Sequence, residues 1–165
     1  MLGHVVEDGS LTVVAATADD VAPVIALIGR VFDVYGLAFD PAVEVPDLLE
    51  YARHYAPPRG TFFVVRARGA AVGSVGVERL DGTSAELHRL YLDPELWGRG
   101  LGRALVEAAL AWCRAVGLRR VILWSDTRFD RAHRLYERLG FTRRGERTIE
   151  GDVNESREYG YDLML

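Results

Sequence analysis

A chain of 165 residues, 49% hydrophobic and 27% charged, has the size and composition of one compact domain with a real core. Its formal net charge of −4 argues against nonspecific nucleic-acid binding. No run of about 18 apolar residues exists to span a membrane, and the start lacks a basic-then-apolar signal pattern, so a cytoplasmic protein is expected.

Cys113 is the single cysteine, which rules out intrachain disulfides and a cysteine-built metal site. His4, His54, His88 and His133 show no ligand spacing, so no metal is expected. The net charge hides an asymmetry. Residues 1–82 hold 6 Arg against 11 acids, whereas residues 97–147 hold 12 Arg against 5 acids. The later window suits a polyanionic small ligand, although Arg on helix surfaces also serves solubility.

In chain order, Leu11 to Ala16 reads as a short strand. Thr17 then caps a helix running to about Phe32. Residues 35–46 are irregular, broken by Gly36, Pro41 and Pro46, and Asp47 to Tyr55 reads as a second helix closed by Pro57-Pro58. Three strands follow, Thr61 to Arg66, Ala71 to Arg79 and Ala85 to Leu92. The turn signals Arg68-Gly69 and Asp81-Gly82 make them consecutive and antiparallel.

Next, Leu101, Ala104, Leu105, Ala108, Trp112, Ala115 and Val116 recur at helical spacing until Gly117. Val121 to Trp124 is a brief strand. Phe129, Ala132, Tyr136 and Leu139 mark a further helix stopped by Gly140. Phe141 to Ile149 and Tyr159 to Leu165 are the last strands, paired with each other. The expected fold class is α/β in one domain, with a mixed, largely antiparallel twisted sheet of about seven strands and about four helices.

Between the third consecutive strand and the long helix lies Trp97-Gly98-Arg99-Gly100-Leu101-Gly102-Arg103-Ala104. Alternating glycines let a backbone approach a phosphate, and the unpaired N–H groups of a helix start sit at the positive end of its dipole. With Arg99 and Arg103 they form an anion site. A Walker loop is excluded, since the chain has no Lys. A dinucleotide fingerprint fits poorly. The spacing is G-x-G-x-G, residues 93–97 separate strand from glycine, and the preceding strands are antiparallel.

The strand-helix-helix-three-strand opening, the strand Glu86 to Leu92, the Gly98 to Gly102 turn and the segment Ala132-His133-Arg134-Leu135-Tyr136-Glu137-Arg138-Leu139-Gly140-Phe141 together resemble the GNAT superfamily of N-acetyltransferases. The resemblance covers nearly the whole chain. It implies acetyl-CoA as co-substrate, with the pyrophosphate on Gly98, Arg99, Gly100, Leu101, Gly102, Arg103 and Ala104. The pantetheine arm would lie along Leu90, Tyr91 and Leu92, where two parallel strands splay.

Two positions depart from the family pattern. Trp97 stands where a Gln or Arg is usual, and Phe129 where many members place an Asn, so neither side-chain contact is carried over. By the same resemblance Glu86 looks like the general base and Tyr136 like the acid that protonates the departing thiolate. His88 shares a face with Glu86 by the period of two and is the rival base. A base is needed because an alkylamine of pKa about 10.4 is almost wholly protonated at neutral pH.

Direct transfer in a ternary complex leaves no task for Cys113 beyond packing. The acceptor reads as a small primary amine, from a loop carrying Asp33, Tyr35, Phe39, Asp40, Glu44 and Asp47. A protein N-terminus or lysine is the less favoured acceptor, and a binding sensor without turnover is the alternative class. Oligomeric state is left open, the terminal strands offering one route to a homodimer.

Overall fold

The computed structural model describes residues 4–5 and 11–165. Among these residues eight strands form one sheet in the order β1-β2-β3-β4-β5-β6-β8-β7. They are β1 (His4–Val5), β2 (Thr12–Ala15), β3 (Gly60–Ala67), β4 (Ala70–Arg79), β5 (Ser84–Leu92), β6 (Arg120–Asp126), β7 (Thr142–Thr148) and β8 (Arg157–Met164). The helices are α1 (Val21–Val34), α2 (Pro41–Glu44), α3 (Pro46–Leu49), α4 (Tyr51–Tyr55), α5 (Leu101–Ala115) and α6 (Asp130–Arg138). Short 3-10 turns at Ala18–Asp20 and Pro94–Leu96 lead toward α1 and the glycine-rich turn.

The mixed sheet agrees with the sequence reading, with one more strand and two more helices than expected. The extra strand is the short β1 at the sheet edge. The extra helices arise because α2 forms within the stretch read as irregular and the helix read from Asp47 to Tyr55 is two short ones, α3 and α4. Pro41 and Pro46 each restart a helix at its first turn, where a missing N–H costs nothing. Asp40 accepts from the Ala42 N–H at 3.1 Å and caps the first of them.

Strands β3 and β4 bury both faces over most of their length, so their sequences are near-continuous apolar runs, whereas β5 is fully buried only at Ala85 and Leu87. Phe63, Val65, Val75, Val77 and Leu87 pack with α5 and α6 on one side. Phe62 and Val64 pack with α1, α3 and Tyr55 on the other.

Every neighbouring pair is antiparallel except β5 with β6, which are parallel only through Ser84↔Arg120, Ala85↔Val121 and Glu86↔Ile122. Beyond Glu86 the two strands part. β6 continues along β8 as far as Asp126, while β5 stays with β4 across a register shift between Ser74 and Gly76. Arg89 takes a left-handed backbone there, φ 55°, and its carbonyl accepts from Ser74 Oγ at 2.8 Å. The parting of β5 from β6 opens the sheet, and the site lies in that opening.

Candidate active site

Two cavities abut where the strands part. The first, about 500 Å³, lies between the end of β5, the start of α5 and α6. Leu90, Tyr91, Leu92, Gly98, Gly100, Gly102 and Arg103 all line it. Gly98 and Gly100 have φ of 82° and open space where a Cβ would stand. They hold a conformation that L side chains rarely adopt and leave the backbone bare toward the cavity. Gly100 is the N-cap of α5, so the N–H groups of Leu101, Gly102 and Arg103 have no carbonyl within the helix.

Three of the residues named from sequence lie away from this lining. The Leu101 side chain is buried in the core, as is Ala104, whose N–H bonds to the Gly100 carbonyl at 3.1 Å. Arg99 is exposed on the turn. The lining adds Arg131, Arg134 and Arg138 from α6, together with Val31 and Tyr35 from α1 and its end. With Arg103 that makes four guanidinium groups and no acid. The spacing 131, 134, 138 puts three of them on one helix face, a signal that was legible in the sequence.

Trp97 and Phe129 have structural tasks. The Trp97 indole donates to the Leu92 carbonyl at 3.0 Å and lies under Arg131, 5.0 Å from guanidinium to ring centroid. Phe129 packs on Tyr35 at 4.9 Å between centroids. Leu90, Tyr91, Phe129 and Ala132 line both cavities and so form their common wall.

The second cavity, about 460 Å³, contains Glu86, His88 and Tyr136, so the three groups assigned proton chemistry stand in one chamber. Its other charged lining is mostly acidic: Glu44, Asp126, Glu150, Asp152 and Glu158 against Arg89 and Arg147. Both arginines are engaged, Arg89 with Asp47 at 2.6 Å and Arg147 with Glu158 at 2.8 Å. Glu44 has no such partner among the described residues. Burial first, then the charge of Asp152, pushes its carboxyl up. Asp33 and Asp40, which the sequence placed beside the acceptor, line neither cavity, and Asp47 is locked to Arg89.

Burial works against the Glu86 carboxylate, but the His88 bond and the charges of His88, Arg147 and Arg89 outweigh it and hold the carboxyl below its ordinary range. Tyr136 is buried at 4% exposure against Phe141 and Tyr161. Burial pushes its phenol well up, with Tyr91 and Tyr161 adding to the effect. The group therefore keeps its proton, and its hydroxyl has no hydrogen-bond partner among the described residues. Cys113 is sealed in the core, its thiol pushed up to about 11 by burial. A buried neutral thiol is a poor nucleophile.

Residues 29–141 match the model of the acetyltransferase (GNAT) family. The chain belongs to the GNAT acetyltransferase family. The uncharacterized N-acetyltransferase YjgM of Escherichia coli (strain K12) is 32% identical over 130 residues, covering 76% of this chain and 78% of that protein. A mycothiol acetyltransferase of Thermobispora bispora is 45% identical over 92 residues, which are 52% of this chain but only 31% of that relative. The crystal structure of an acetyltransferase from Streptococcus agalactiae 2603 superimposes with a TM-score of 0.80 at 22% identity, covering 94% of this chain and 99% of that one, which shows the shared fold.

This GNAT chain is an N-acetyltransferase, and the co-substrate of its family is acetyl-CoA. The first cavity brings together four arginines, a helix start and the free edge of β5, groups that could hold phosphates and an extended arm. Among the described residues, no helix is long and apolar enough to cross a membrane.

Proposed function

We propose that this GNAT enzyme transfers the acetyl group of acetyl-CoA directly to a primary amine of a small, positively charged molecule. One observation carries the reading: two abutting cavities of opposite character, arginine-lined on the donor side and carboxylate-rich on the other, share a wall at Leu90 and Tyr91. An ammonium group is drawn to the second cavity, where Glu44 has no cationic partner among the described residues.

In this reading the N–H groups of Leu101, Gly102 and Arg103 and the guanidinium groups of Arg103, Arg131, Arg134 and Arg138 bind the phosphates. When bound, acetyl-CoA supplies an activated acetyl group. Glu86 takes the proton that the ammonium must lose, and the Tyr136 hydroxyl gives a proton to the departing sulfur. No protein nucleophile is needed, in keeping with the inert Cys113. A reducing cytoplasm suits its free thiol.

The relative named mycothiol acetyltransferase supports a small-molecule acceptor. The test is CoA release from acetyl-CoA across a panel of cationic small amines, amino acids and peptides with free N-termini. Turnover concentrated on small cationic amines is expected. Turnover on the peptides alone, or tight acetyl-CoA binding with no turnover at all, would overturn it.

A further inference from the structure

Glu86 and His88 lie two residues apart on one face of β5, and the hydrogen-bond chain continues past them into the interior. His88 Nε2 is bonded to Glu86 Oε2. His88 Nδ1 is 3.1 Å from the Tyr55 hydroxyl, and that hydroxyl donates to Asp47 Oδ2. Arg89 grips Asp47 in turn, Nη2 to Oδ1 at 2.6 Å and Nε to both oxygens at 3.2 Å. Gly76, opposite His88 in the β4–β5 ladder, makes room for the Tyr55 ring. A Cβ at Gly76 would come within 2.8 Å of Tyr55 Cε1.

Proton bookkeeping has one solution at the Tyr55 end of this chain. Burial opposes the Asp47 charge, but the Arg89 bonds and charge outweigh it, and its carboxyl is held below the ordinary range. Asp47 is an anion and can only accept. Burial, with Asp47 adjacent, pushes the Tyr55 phenol far up, so its single proton stays on the phenol and points to Asp47. The phenolic oxygen is then left to accept from His88, and Nδ1 must carry a proton. With Nδ1 so protonated, the Nε2–Glu86 bond needs a second proton between two acceptor atoms, so the pair as seen is the proton-loaded one, and the neutral ring that precedes it has its lone pair on Nε2.

We infer that the proton taken from the acceptor ammonium comes to rest on His88 Nε2, with Glu86 as its carrier and Tyr55 and Asp47 as positioning residues that set the imidazole tautomer. This rests on the amine-acetylation reading above. The ammonium N–H bond breaks and leaves its electron pair on nitrogen. An O–H bond forms on Glu86, and the proton then passes to Nε2, giving an imidazolium beside a restored carboxylate. With Nδ1 donating to Tyr55, the proton in the Nε2–Glu86 bond makes the ring an imidazolium bridging two acceptors, so the proton ends its passage on the ring and leaves Glu86 ionised.

The other groups facing His88 agree in sign. Glu78 Oε1 on β4 is 4.0 Å from Nδ1, and its Oε2 is bonded at 3.0 Å to His54 Nδ1 on α4 and to Arg59 Nε. Beyond these, Arg89 is neutralised by Asp47, and Arg147 on β7 bears on Glu86.

The test uses the full chain with nitrogen-15-labelled histidine, read by NMR without any substrate. The neutral His88 ring should carry its proton on Nδ1, and Tyr55→Phe, which keeps the ring packing, should move it to Nε2. On a working acceptor, His88→Gln should lower kcat about 100-fold with acetyl-CoA affinity unchanged. Tyr55→Phe should shift the acid limb of the kcat profile to lower pH, and Asp47→Asn should shift it the same way. A neutral His88 protonated on Nε2 in the wild type, or a tautomer and pH limb indifferent to Tyr55→Phe, would overturn the relay. Since the NMR arm needs no acceptor, an Nδ1 proton in an enzyme inert toward amines would support the tautomer and count against the proposed reaction instead.

Discussion

Trp97 donates its indole N–H to the Leu92 carbonyl over 3.0 Å, so the side chain standing where the family has Gln or Arg is turned onto the end of β5. There it fixes the strand edge against the glycine-rich turn and carries Arg131 on its ring. Trp97→Phe removes the N–H together with the five-membered half of the indole and keeps an aromatic ring. One neutral hydrogen bond is worth about 1 kcal/mol, so acetyl-CoA affinity should fall roughly five- to tenfold with kcat little changed. Calorimetric titration reads this directly, and an unchanged Kd would show that the bond does not shape the donor cavity.

Phosphate binding should depend on the bare turn and on one face of α6. Gly100→Glu and Gly102→Glu place a carboxylate at the helix start and should abolish acetyl-CoA binding with the fold intact by circular dichroism. Arg134→Ala and Arg138→Ala should each weaken binding about tenfold, since bonds from charged donors exceed neutral ones. Both should also flatten its dependence on salt. Titrations at low and high ionic strength separate the effects. If affinity ignored both salt and these arginines, the anion-site assignment would fail.

The elements of this site were unequally legible in the sequence. Helix α5 announced itself through its apolar period and through glycines at both ends, and the β3 to β5 strands through their turn signals. All of these are local cues. The placement of β8 between β6 and β7 had no local cue, because strand order is set by which edges remain free after packing. Residues 41–55 misled because Asp47 looked like a helix start, whereas Pro46 begins that turn and Asp47 faces inward to Arg89.

The same contrast holds within the site. Glu86 and Tyr136 were found through family likeness and do face one cavity, together with His88. Asp47 was named only as an acid of the acceptor loop and Tyr55 only as a helix end, since their bonds to Arg89 and His88 span 42 and 33 residues. Only the folded chain brings those side chains together.

Burial keeps the Tyr136 phenol protonated, and its hydroxyl has no hydrogen-bond partner among the described residues, so its proton is unengaged when the sulfur leaves. Tyr136→Phe removes that proton and preserves the packing against Phe141 and Tyr161. On a working acceptor kcat should drop about 100-fold, with acetyl-CoA Kd nearly unchanged. Steady-state kinetics with a parallel binding titration separates the two quantities. Undiminished turnover would remove Tyr136 from the reaction and leave it a core residue.

Asp20 ties the start of α1 to β3. Arg66 grips it with two bonds, Nε to Oδ1 at 2.8 Å and Nη2 to Oδ2 at 2.6 Å, and Thr17 N–H adds a third at 2.8 Å. The Arg66 bond first of all holds its carboxyl below the ordinary value, against the opposing effect of burial. A carboxyl lowered by folding stabilises the native state fully above its unfolded pKa, about 3.9. That contribution is lost as pH falls through the lower folded value. With Arg66 partly exposed to solvent, the pair is worth about 1 kcal/mol. Thermal melts of Asp20→Asn should therefore lie about 2–4 °C below the wild type at pH 7, and the gap should close as the pH is brought below about 3.9. A gap that held constant down to pH 3 would mean that the substitution acts through packing at the helix start, and not through the charge of Asp20.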